Sequence, residues 1–215
     1  MKKPSTISPN TLMKARTPFQ SAESSTHSME PHFSMATAEV IFRMAIFIYT
    51  KKNRMTPAKP CLLGGAFMVD RDRYLKLGGF DPIYHPLYYE EIDLSYRALK
   101  RGWKVLYEPK SVAYHKVQST ITRQEKKRQI GLISARNNYL FVWKNILDQP
   151  LTYQFLFYIP LFLIRDLFRL KSRFWIAFYM ALKRLPSILK ARRREKLDVI
   201  FSDREILQKI NRPAH

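Results

Sequence analysis

The residues best suited to chemistry lie in the run Tyr88-Tyr-Glu-Glu-Ile-Asp93, which places three carboxylates within four positions. At helical spacing Glu90 and Asp93 stand i and i+3 on adjoining faces, with Glu91 between them around the turn. Acids in a first helical turn oppose the positive end of the helix dipole, and each stabilises by about 0.3–1 kcal/mol. That accounts for one or two. Three together repel unless a cation or a basic ligand shares the site, so a proton-transfer or ligand-binding role competes with the purely helical one. The pattern leaves both open.

The elements that must position these acids are legible around them. A helix from Glu90 runs to about Arg101 and stops at Gly102, with Ile92, Tyr96, Leu99 and Trp103 as its buried stripe. Upstream, 62–70 reads Leu-Leu-Gly-Gly-Ala-Phe-Met-Val-Asp, a short apolar run expected to be a buried strand. Asp70 is placed to cap a short helix over Arg71–Leu77, which Gly78 ends in a left-handed conformation. Gly79-Phe-Asp81 then forms a turn, expected to leave Phe80 and Asp81 facing a cleft. Trp103–Glu108 and Val112–His115 read as strands, and Ala36–Tyr49 as a helix of about four turns. The order of elements predicts an α/β layout.

The chain has 215 residues, enough for one compact domain with a short appendage. Its 38 Lys and Arg against 17 Asp and Glu give a net charge of +21, and 46% hydrophobic residues exclude a wholly disordered polybasic chain. One cysteine, Cys61, excludes an internal disulfide framework. So much positive charge calls for a polyanionic partner. Residues 165–196 hold eleven basic residues against Asp166 and Glu195, interleaved with bulky apolar ones. That mixture suits an anionic bilayer surface better than nucleic acid, for which no motif is present. The preceding uncharged run, 151–164, is 14 residues long and contains Pro160, too short and too interrupted to span a bilayer. Two helices over 151–190 lying on a membrane surface are expected, against the plainer reading of a helical hairpin packed on the domain. The organisation read from these patterns is a poorly ordered arm (1–35), an α/β domain (36–148) that the resemblance described below makes the acceptor-side part of a transferase domain, membrane-surface helices with a basic tail (149–196) and a C-terminal tail (197–215).

Several motifs occur in a distinctive order: Gly64-Gly-Ala-Phe-Met-Val69, Gly78-Gly-Phe-Asp81, Tyr89-Glu-Glu-Ile-Asp-Leu-Ser-Tyr-Arg97, Gly102-Trp-Lys-Val105 and His115. Arg136-Asn-Asn138, Lys144-Asn145 and the basic tail through Arg192 follow. Together they resemble the acceptor-side half of a family 2 glycosyltransferase of the bacterial rhamnosyltransferase-like type, over roughly residues 60–195. The resemblance implies a partial GT-A, Rossmann-like fold and an inverting transfer from a nucleotide-sugar to a glycan or lipid-linked acceptor in cell-surface polysaccharide assembly. It implies Glu91 as the base, at a position where the family usually carries aspartate. It further implies Gly79, Phe80, Asp81, Glu90 and Asp93 as acceptor-binding residues. His115 matches a histidine that helps hold the divalent metal, Mn or Mg, beside the donor diphosphate, although a lone histidine after a strand is more commonly structural.

The family's N-terminal nucleotide-binding half, with its Asp-x-Asp metal motif, has no counterpart before Gly64, and Asp70-Arg-Asp72 is better read as a helix cap. A truncated enzyme, or one completed by a separate N-terminal half, is therefore expected on the cytoplasmic face of the membrane, held there peripherally. The alternative is a catalytically inactive remnant that serves as a membrane-surface binding or partner module.

Overall fold

The structure is a computed structural model that describes residues 37–43, 46–51, 60–64, 67–108, 124–168 and 172–212. The expected arm over 1–35, the strand at Val112–His115 and His115 itself lie outside the described residues.

The first described element corrects the sequence reading. Ala36–Tyr49 was expected to be helical, but β1 (Thr37–Arg43) and β2 (Ile46–Lys51) form an antiparallel pair in which Ile41 faces Ile48 and Phe42 faces Phe47. A short apolar run fits either period, and β-branched and aromatic side chains tip it towards a pleated, half-buried surface. Val40 and Phe42, two apart, turn one face inward with Phe47.

The α/β, GT-A-like fold class is also overturned. Among the described residues seven α-helices carry the chain, and the sheet is the β1–β2 pair alone. Neither segment expected to supply a buried strand, 62–70 or 103–108, forms one among the described residues. Pro60 and Leu106 form an isolated antiparallel bridge, and Cys61 N donates to Val105 O at 3.1 Å. A parallel sheet needs neighbouring strands joined by crossovers, and these segments find none among the described residues.

The helices around the acidic motif follow the expectation. α1 (Arg71–Lys76) is capped by Asp70, whose carboxylate accepts from Arg73 N, and Gly78 follows with φ +76°. α2 (Glu90–Lys100) carries Glu90, Glu91 and Asp93 in its first turn and Arg97 and Lys100 in its last, both favourable to the dipole. It ends at Gly102, φ +75°, with Trp103 N bonded back to Ala98 O. Ile92, Tyr96 and Leu99 are buried as predicted, while Trp103 packs partly buried at the core edge.

α3 (Gln124–Asn145) is the central spar. It packs against α2, β2, α5 and α6. The tail forms three helices where two were expected: α4 (Gln149–Phe168), α5 (Arg173–Leu182) and α6 (Leu185–Glu195). Pro186, in the first turn of α6, separates it from α5. α4 continues through Pro160 and reaches 20 residues, longer than the uncharged run that it contains. It is long and apolar enough to cross a membrane by length and composition alone. α7 (Asp203–Asn211) opens with a Ser202/Glu205 capping box and closes on β1, where Asn211 exchanges two hydrogen bonds with the Val40 backbone, at 2.9 and 2.6 Å.

Candidate functional site

Asp93 is the hub. Its side chain is fully buried and takes Arg97 Nε at 2.6 Å, Lys144 Nζ at 2.8 and 2.9 Å, Asn145 Nδ2 at 2.8 Å and the Tyr84 hydroxyl at 2.8 Å. Burial pushes this carboxyl upward, but Lys144 and Arg97 outweigh it, and the net result is a value lowered to about 2. The same surroundings raise the Tyr84 hydroxyl well above its ordinary value, through burial first and the Asp93 charge second. A buried carboxylate with two cations and two neutral donors is satisfied, and such a network costs heavily if one partner is removed.

Each partner of the hub holds another part of the site. Lys144 also meets Asp81 Oδ2 at 2.7 Å. Asp81 Oδ1 accepts from Ile83 N at 3.0 Å and starts a one-turn 3-10 helix, Pro82–Tyr84. Arg97 donates to Leu77 O and to Gly79 O, both at 2.7 Å, and so clamps the Gly78-Gly79 turn. Gly79 has φ +68°, and a Cβ there would sit 3.0 Å from the Tyr74 hydroxyl. Phe80 projects from this turn, 40% exposed, with its ring edge-on to Tyr74 and Phe67.

The loop leading into the acidic turn is fixed from α3. Asn137 Nδ2 lies 2.8–2.9 Å from the carbonyls of Tyr84, Leu87 and Tyr88, and Arg136 Nη2 donates to His85 O at 2.7 Å. Asn138 donates to the Tyr89 hydroxyl at 2.5 Å and to Phe47 O at 2.7 Å. Tyr88 and Tyr89 both have positive φ, +69° and +79°, a conformation that side chains other than glycine adopt only when held. The Arg136-Asn-Asn138 run supplies that hold. Glu90 and Glu91 then emerge half-buried at the head of α2. Glu90 Oε2 is shielded from solvent and has no hydrogen-bond partner among the described residues.

The structure ties the Gly79-Phe80-Asp81 turn to Asp93 through Arg97 and Lys144, and Glu90 and Glu91 share the first turn of α2 with Asp93. Their postures differ from the expectation in two places. Asp81, expected to face a cleft, has a side chain only 12% exposed and is turned to Lys144. Asp93, expected to bind the acceptor, faces the interior and is fully buried. Arg97 went unassigned in the sequence reading, although its i+4 spacing from Asp93 was the signal for a helical ion pair. Tyr84 had no such signal. Among the described residues no three His, Cys, Asp or Glu side chains form a set fit to hold a metal ion.

A second buried pair braces the far end of α2. Lys100 Nζ meets Asp203 Oδ1 at 2.8 Å and donates to Asn145 O, while Asp203 also accepts from the Tyr96 hydroxyl at 2.8 Å. Burial lowers the Lys100 ammonium value and the Asp203 charge opposes that. Arg192, from the basic tail, caps the end of α3 through Trp143 O and Ile146 O, and Arg184 donates to Ile83 O. Part of the basic tail thus serves the domain itself.

Comparison with known proteins gives one relationship. A stretch of 74 residues is 40% identical to the N-acetylglucosaminyl-diphospho-decaprenol L-rhamnosyltransferase of Mycobacterium tuberculosis, in each of two strains. The match takes in 33% of this chain and 24% of the relative, so the chain spans about a quarter of the length of the curated relatives that it matches. No protein-family profile matches the chain, and no solved structure does. Part of the chain is thus related to a glycosyltransferase.

Proposed function

We propose that this chain is the acceptor-side part of a glycosyltransferase that passes a sugar from a nucleotide-sugar to a glycan or lipid-linked acceptor in cell-surface polysaccharide assembly. The observation that carries the reading is the acidic first turn of α2. It is braced from behind by the Asp93–Lys144–Asp81 network and holds Glu90 Oε2 without a hydrogen-bond partner among the described residues. The partial similarity to a rhamnosyltransferase, whose name gives a diphospho-decaprenol-linked sugar, supports sugar transfer to a lipid-linked acceptor.

Glu91 is the base in this reading. Its carboxylate takes the proton of an acceptor hydroxyl as that oxygen attacks the anomeric carbon. The bond from the anomeric carbon to the phosphate oxygen breaks, and the nucleoside diphosphate leaves with the electron pair. Glu90 and the Gly79-Phe80-Asp81 turn orient the acceptor, with Phe80 offering an apolar face to a sugar ring. Asp93 keeps that turn and the base in register. Donor binding, with its divalent Mn or Mg and a contribution from His115, is assigned to protein outside the described residues or to a second polypeptide.

The test is sugar transfer to endogenous lipid-linked acceptors in membranes from cells that make the full gene product. Glu91→Gln is expected to lower transfer by about 10²–10⁴-fold at unchanged protein level. Near-normal turnover would remove Glu91 as the base. Transfer by neither form, with nucleotide-sugar unbound, would favour the inactive binding module.

A further inference from the structure

The tail helices have two faces of opposite use. Phe155, Ile159 and Leu163 of α4 and Ala177 and Ala181 of α5 are buried in the domain core. On the outward side of α4, Tyr153, Phe157, Leu161, Ile164 and Phe168 follow one another at i+3 and i+4, and all are exposed, Phe157 to 65% and Phe168 to 83%. Only 22% of the most apolar 18-residue stretch of α4 is buried within the protein, which is not the posture of a core helix. The strip continues onto α5. Trp175 donates its ring N–H to Leu163 O at 3.0 Å, tying the two helices, and Trp175 and Tyr179 are exposed beside it.

Charge decides what such a surface accepts. Between residues 149 and 197 the chain has two carboxylates, Asp166 and Glu195. Both are buried, and both are paired with arginine, Arg165 at 3.0 Å and Arg101 at 2.9 Å. Among the described residues the solvent side of these helices thus offers apolar, cationic and a few neutral polar side chains, and no exposed carboxylate. Lys183 sits over the Tyr179 ring at 4.6 Å, and Lys190, Arg193 and Arg194 are exposed on α6. We infer that the outward faces of α4 and α5 are a docking surface for an anionic lipid bilayer, on which α4 lies in the plane of the interface. Its aromatic and aliphatic side chains enter the acyl boundary while the cations of α5 and α6 meet lipid phosphates. The inner stripe of α4 remains in the domain core, so the helix lies on the membrane and does not cross it. This inference is independent of the glycosyl-transfer reading.

The experiment is co-sedimentation of the full chain with vesicles of mixed phosphatidylcholine and phosphatidylglycerol, and with phosphatidylcholine alone. Two variants touch only exposed side chains: Phe157→Asp with Ile164→Asp, and Lys190→Ala with Arg193→Ala and Arg194→Ala. Circular dichroism checks that each retains the fold. The wild type is expected to bind the anionic vesicles, to be released by salt or alkaline carbonate, and to bind neutral vesicles weakly. The α4 variant should lose binding by about tenfold or more, and the cationic variant by about fivefold for each charge removed. Equal binding by the folded α4 variant and the wild type would overturn the inference. So would resistance to carbonate extraction, which would make α4 a spanning helix. Failure to bind anionic vesicles, with self-association abolished by the α4 variant, would also overturn it and assign the face to a second copy of this chain.

Discussion

Lys144, one residue from the end of α3, places its ammonium between Asp81 and Asp93, 2.7 Å from the first and 2.8 Å from the second. One cation therefore neutralises both carboxylates where the glycine turn meets the acidic helix, beside the Arg97 bonds to Leu77 O and Gly79 O.

Replacing Lys144 by methionine leaves two carboxylates facing each other in the interior with Arg97 as the remaining cation. Breaking a buried ion pair from one side costs about 3–5 kcal/mol. Urea unfolding of Lys144→Met should show a loss of that order, and a change below about 1 kcal/mol would mean that the network does not hold the turn.

Acid should weaken the fold through Asp93. Its folded value, about 2, lies below the ordinary 3.8, so the unfolded chain binds the proton more readily. The stabilisation is present above about pH 4 and is lost as pH falls from there through 2, amounting to about 2 kcal/mol. Unfolding free energies measured across that range should fall in the wild type. Asp93→Asn should be less stable at neutral pH and show a flatter acid limb.

Asn137 holds the carbonyls of Tyr84, Leu87 and Tyr88 with one amide. Asn137→Ala removes the donor and leaves those carbonyls short of partners, at about 1–3 kcal/mol. Hydrogen exchange should quicken over residues 82–91 before it quickens in α3, because the loss is local. Uniform exchange across both would contradict a local brace.

Cys61 is buried, and burial alone pushes its thiol up to about 12. Thiolate is then scarce at neutral pH, so the native protein should resist a thiol reagent that labels the urea-unfolded chain within minutes. Rapid native labelling would show that the 60–62 and 105–107 segments open readily.

Much of the site was legible because it is built from short-range rules. Asp70 before α1, Gly78 after it, the acids at the head of α2 and Gly102 at its end each act within one helical turn, and local sequence contains what decides them. The inward turn of Asp93 was not legible, because its partners Lys144 and Asn145 come from α3, about fifty positions away. Nothing in Glu90-Glu-Ile-Asp93 says which acid faces a lysine.

The same division separates element from architecture. Sequence determined that residues 149–196 would be helical, apolar and basic, since composition and the 3.6-residue period are local properties. Packing decided that Arg184 and Arg192 satisfy backbone carbonyls, and that one side of α4 is core while the other is left bare. Likewise the run around Val40 and Phe47 is apolar enough for either period. Pairing across Phe42 and Phe47, with Asn211 of α7 closing on Val40, made it a hairpin. A strand exists only with its partner, and the partner is chosen in three dimensions.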